Sequence, residues 1–185
     1  HFNTQQFDEV YGYIAEHGRP VGDAFAFDGL RVFPGMETDI AEGGHVLCIG
    51  PMDAIRELNR RLEPHKTKGS FLPFADLVGA GHPFRAGGHI PDLPSELLAR
   101  FDFLDLNGKD IAEDRARTER LTYGFGHQLQ KPVVAGSDTH QAVQYGCIRT
   151  HFDRDVSTFR ELYAEMQAGR YNIAVHPDAA AKVRT

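Results

Sequence analysis

Apolar positions along the chain switch repeatedly between helical and extended spacing. Phe7, Val10, Tyr11 and Ile14 recur at helical intervals and stop at Gly18, which predicts an amphipathic helix, while Leu30 to Phe33 form a short apolar run cut by Pro34 and Gly35. His45 to Gly50 (HVLCIG) reads as a buried strand. Pro51 then stands where a first helical turn tolerates proline, and Ile55, Leu58 and Leu62 follow at helical spacing. The alternation continues through a strand in DLVGAGHP ending at His82 and Pro83, a short helix after Pro94, a strand in FDFLDLN, a polar helix from about Asp110, and the strand PVVAG. CIRTHF gives a further strand. The last helix takes Ser157 as its N-cap, Phe159, Leu162, Tyr163 and Met166 as its inner face, and Gly169 as its stop.

Short strands alternating with helices predict a largely parallel sheet, open or closed. The polar residues tilt this toward a barrel. Glu37 stands just past RVFPG, His82 after DLVGAG, Asn107 after FLDL and Asp138 after PVVAGS, and a barrel gathers the C-terminal ends of its strands on one face. With 185 residues and no linker or low-complexity segment, one domain over 1–185 is expected.

Composition narrows the partners. An apolar share of 41% and a charged share of 25%, with no apolar stretch long enough to span a bilayer, predict a soluble protein without a membrane partner. The formal charge of -6 and the lack of a Lys/Arg run predict no grip on long duplex nucleic acid, so any phosphate is expected to be bound locally, by a metal or one arginine. Cys48 and Cys147 are too few for a disulfide framework and lack C-x-x-C spacing, so a reducing, cytoplasmic compartment is expected. The chain opens at His1 without an initiator methionine and reads as the remainder of a longer polypeptide.

Carboxylates and imidazoles at successive strand ends, with no thiolate pair, suit Zn, Mn or Fe. Singly, each residue has a plainer reading: Glu37 a loop acid, His45 a strand-edge histidine, His82 a turn residue, Asp138 a helix N-cap. Together they suggest a site. In AGSDTH, Asp138 and His140 are two residues apart and can project to the same side, onto one ion or adjacent ions.

The ordered segments VFPGMETDIAEGGHVLCIG, AGHPFRAGG and VVAGSDTH resemble motifs of the PHP (polymerase and histidinol phosphatase) superfamily, and the resemblance runs to about Ala174. It implies an α/β fold, a distorted (β/α)7 barrel, and a metal-dependent phosphoesterase with two or three divalent ions. By the resemblance, Glu37 matches a metal-bridging acid, His45 the histidine before the next strand, His82 the histidine of a His-Pro motif, and Asp138 with His140 the closing pair. His1, followed by FNT, resembles the histidine of an earlier motif, and Arg85 sits where a phosphate-contacting arginine is often found. The family's opening His-x-His strand has no counterpart here, so its first strand or two are expected on a segment absent from this chain. His89 and Asn107 are candidates to support the ligands rather than to bind metal.

The implied chemistry is hydrolysis of a small phosphomonoester or short nucleotide by a metal-activated water, with Arg85 clamping a phosphate oxygen. An amidohydrolase-like metal barrel is the nearest rival, but Lys109, in a loop after glycine, and Lys131, before its strand, are poorly placed as a bridging lysine. A non-catalytic binding module on the same fold is the alternative from another class. No P-loop, G-x-S-x-G elbow or H-E-x-x-H helix is present.

Overall fold

The computed structural model describes residues 7–61 and 76–184. Helix α1 (Phe7–His17) precedes a small antiparallel meander of β1 (Arg19–Val21), β2 (Ala24–Phe27) and β3 (Leu30–Val32). The main sheet follows, in the order β4 (Gly35–Asp39), β5 (His45–Ile49), β6 (Leu77–Gly81), β7 (Phe103–Asn107) and β8 (Val133–Gly136). Around it lie α2 (Met52–Arg61), α3 (Ser95–Leu98) and α4 (Gly108–Leu129). A two-stranded antiparallel sheet of β9 (Ile148–Phe152) and β10 (Tyr171–Val175) flanks α5 (Phe159–Ala168), and α6 (Ala179–Arg184) closes the described chain.

The fold is mixed α/β, but two expectations are corrected. The sheet is not largely parallel: β4–β5 and β5–β6 pair antiparallel, and only β6–β7 and β7–β8 are parallel. No closed barrel is found among the described residues, where the main sheet is open with β4 and β8 at its edges. Strand signals in a sequence carry no direction, and a Pro-Gly pair that looks like a strand end is here a strand start. Gly35 pairs with Ile49, so Glu37 lies in the middle of β4, opposite Leu47, and not past a strand end.

Alternation along the strands separates core from site. Met36, Val46 and Cys48 face the main core with Leu104, Leu106 and Ile148, while Glu37, Asp39 and His45 share the opposite face. Along β7 the residues Phe103, Asp105 and Asn107 share a face, and Leu104 and Leu106 are fully buried on the other. Helix α5 is capped by Thr158, which accepts from the Glu161 N–H, and not by Ser157; its left-handed Gly169 ends it as expected. Among the described residues no helix is long and apolar enough to cross a membrane.

Candidate metal centre

The functional side chains gather where β4 ends, β5 begins and β6, β7 and β8 finish. Asp39 lies opposite His45, and His45 opposite Gly81, so the β4–β5 turn sits beside the C-terminal end of β6. His82 and Asp138 each follow a parallel strand and take left-handed backbone, with φ of 30° and 50°. Non-glycine residues adopt this region at a cost of order 1–3 kcal/mol, and such strain clusters at functional sites.

One half of the site is a carboxylate with two imidazoles. Glu37 Oε1 lies 2.6 Å from His45 Nδ1 and 3.1 Å from His82 Nε2, and the two ring nitrogens are 3.0 Å apart. The far nitrogen of His45, Nε2, is 2.7 Å from Asp39 Oδ1. Burial works to raise the Glu37 carboxyl, but hydrogen bonds and charge from His45 and His82 hold it well below the usual carboxylate range. The hydrogen bond to Glu37 pushes the His45 imidazole up, against the opposing effect of burial. One donor atom from each of Glu37, His45 and His82 fits within 4.8 Å of the others, and a set of two imidazoles and one carboxylate suits Zn, Mn or Fe. Asp39 fits the supporting role of an acid that orients a metal-binding histidine.

The other half is cationic. The Arg85 guanidinium donates from Nε to Asp110 Oδ1 at 2.8 Å and from one terminal nitrogen to Asn107 Oδ1 at 2.7 Å and Asp138 Oδ2 at 3.2 Å. Burial disfavours its charge, yet the Asp110 and Asp138 carboxylates more than offset this and raise its pKa. The Lys109 ammonium stands 2.8 Å from His140 Nδ1 and 3.5 Å from Asp138 Oδ2. Asp138 caps no α-helix, and its own backbone carbonyl lies 3.0 Å from His140 Nδ1. Asp105 joins the halves: it accepts from the His82 N–H at 3.3 Å and from Asn107 Nδ2 at 3.0 Å. Its burial pushes the carboxyl up to about 7, against these hydrogen bonds.

The structure therefore brings Glu37, His45 and His82 into one donor cluster and places Asp138 and His140 beside it, against Arg85 and Lys109. His1 lies outside the described residues. Asn107 supports the site by capping α4 and accepting from Arg85, whereas His89 is exposed, 3.6 Å from Asp92. Lys109 is corrected from a loop position to the first turn of α4, where its N–H donates to Asn107 at 2.9 Å. Asp39, Asp105 and Asp110 were not found by sequence reasoning, and Lys109 was considered only as a bridging lysine and set aside. The signal for two of them was there: Asp39 is two residues from Glu37 and Asp105 two from Asn107, each on the same strand face.

An open cavity of about 700 Å³ runs along this sheet face, lined by Leu47, Phe103, Val134 and Ile148 and reaching Asp105 and Ser137. A second cavity, between Tyr123, Gln130 and Tyr171, lies by the start of β8, away from the site.

The mixed α/β fold is matched by solved structures. PsfC from Pseudomonas syringae superposes with a TM-score of 0.66 at 17% identity, over 96% of this chain and 76% of that one. The lesion-specific endonuclease PfuEndoQ from Pyrococcus furiosus gives 0.59 at 18% identity, over 89% of this chain and 46% of that one. Endonuclease Q in complex with a 27-mer duplex carrying an abasic lesion at its active site gives 0.59 at 18%, over 90% and 47%. This chain thus spans less than half the length of the endonuclease. At such identities the likeness speaks for the fold. A family model described as PHP-associated matches residues 120–171, from within α4 into β10, including Asp138 and His140. Together these findings support a relationship to the PHP superfamily. No curated protein matches the chain in sequence. The expectation against long duplex nucleic acid is corrected: endonuclease Q, with this fold, takes a 27-mer duplex, so the -6 charge of this chain does not decide the matter. Grip on DNA depends on local charge around a site, which a net charge averages away.

Proposed function

We propose that the chain is a single PHP-like domain, the C-terminal portion of a barrel, that hydrolyses phosphoesters with a divalent metal. The observation that carries this reading is Glu37 placed between His45 and His82, with Arg85 held beside them. Glu37, His45 and His82 would hold the ion, and Asp39 would keep His45 in the orientation and tautomer that bind it. A divalent ion there supplies Lewis acidity and an activated water near neutral pH. Arg85 is fixed through Nε and one terminal nitrogen, which leaves the other terminal nitrogen to donate to a phosphoryl oxygen. Asn107 and Asp110 set the plane of that guanidinium.

The preferred substrate is a small phosphomonoester or nucleotide. A phosphodiester within DNA is the second reading, favoured by the endonuclease Q fold. The test is hydrolysis of p-nitrophenyl phosphate, nucleotides and an abasic-site duplex by metal-loaded protein, with Glu37→Ala and Asp138→Ala beside it. Loss of turnover in both variants with the circular dichroism unchanged is expected. Undiminished hydrolysis in both would sink the site assignment.

A further inference from the structure

We propose that Lys109 occupies the place of a second cation, so that this chain holds one divalent ion, between Glu37, His45 and His82, rather than two or three. The inference rests on the metal reading above and deepens it.

Charge separates the halves. Around the donor cluster, Glu37 and Asp39 supply two carboxylates, and the His45 and His82 imidazoles lie against them. Such a group attracts an added cation. In the other half Asp138, its side chain 7% exposed, already has the Arg85 guanidinium at 3.2 Å and the Lys109 ammonium at 3.5 Å. The ammonium also stands 2.8 Å from His140 Nδ1. It is 3.4 Å from Nε2 of the same ring, so the ammonium lies against the imidazole edge that a metal would use. Lys109 therefore stands between an Asp138 carboxylate oxygen and the His140 ring, in the space a second ion would need. Like charges repel at contact distance, so the ammonium and a divalent ion exclude one another.

The backbone holds the lysine there. Its N–H donates to Asn107 Oδ1 at 2.9 Å, in the capped first turn of α4. Gly108 lets that turn approach the Asp138 loop, since a Cβ at 108 would come within 2.7 Å of Ile148 Cγ2 and 3.0 Å of the Ser137 carbonyl oxygen.

The test is a count of bound ions. Metal-stripped protein is titrated with Mn²⁺ or Zn²⁺ by calorimetry, and the dialysed product is analysed for metal per chain. One equivalent in the wild type, one in K109R, two in K109M and K109Q, and one again in K109M/D138N are expected. Two equivalents in the wild type overturn this inference and leave the metal reading standing. A single equivalent in folded K109M and K109Q also overturns it. No ion in the wild type overturns both, and E37A, expected to bind none at the first position, separates the cluster from adventitious surface binding.

Discussion

The two halves of the site use the same residue types to opposite electrostatic effect. Glu37, His45 and His82 stand with a further acid, Asp39, while Asp138 and His140 stand with two cations, Arg85 and Lys109. An acid and an imidazole thus do not define a metal seat by themselves. What surrounds them decides whether the pocket calls for a cation or already contains one. The halves also differ in origin: the first is built mostly on an antiparallel hairpin, the second on loops and a helix start after parallel strands.

The strongest way to break this comparison is Glu37→Ala. It should cost more in metal affinity than the roughly 100-fold at which loss of a supporting partner tops out; equilibrium dialysis checks this, and unchanged affinity would remove the donor cluster from consideration. Next comes Arg85→Ala, which should lower kcat by about 10²–10³ with metal content unchanged, the scale of losing one donor to developing charge. Arg85→Lys should recover little of that, because a point charge does not reproduce the fork held by Asn107 and Asp110. Steady-state kinetics beside metal analysis separates the two halves here. Asp39→Asn should then weaken metal binding by about 10- to 100-fold through loss of its hold on His45.

The smallest effect is a pH slope. In metal-free protein the raised His45 pKa means the folded state keeps a proton longer than the unfolded chain. Its stabilising contribution is complete below the ordinary histidine value and is lost as pH rises through the folded value. Glu37 has the opposite sign, stabilising above the ordinary carboxylate value and losing this as pH falls. Metal must displace the His45 proton, so affinity should rise by about tenfold per pH unit until that group has titrated. Calorimetry at several pH values measures the slope, and a flat profile would mean that His45 is no ligand.

Much of the fold was legible from periodicity. Strands β5 to β9 and helices α1 to α5 stand where apolar spacing puts them, because each is long enough to show a period or is bounded by Gly or Pro. Strands β1 and β2, of three and four residues, are too short to do so. Strand β4 was hidden because its Pro-Gly start reads as a stop, and the antiparallel half of the sheet because direction is a tertiary property. At the site, the motif residues could be picked out, and Asn107 as their support. Asp39 and Asp105 carried a spacing signal from Glu37 and Asn107 that counts only when those residues lie within strands, as register shows, and Lys109 and Asp110 gain their place once α4 is seen to begin at Gly108.

The β4–β5 register also governs which length changes this chain can absorb. Glu37 and Asp39 face the site because β4 leaves the turn in one phase, and the turn's two left-handed glycines, Gly43 and Gly44, set that phase. Adding or removing one residue there would rotate Met36 and Thr38 onto the site face and press two carboxylates toward the core. Insertions between residues 40 and 44 are therefore the ones this protein should refuse, even though surface turns ordinarily accept them.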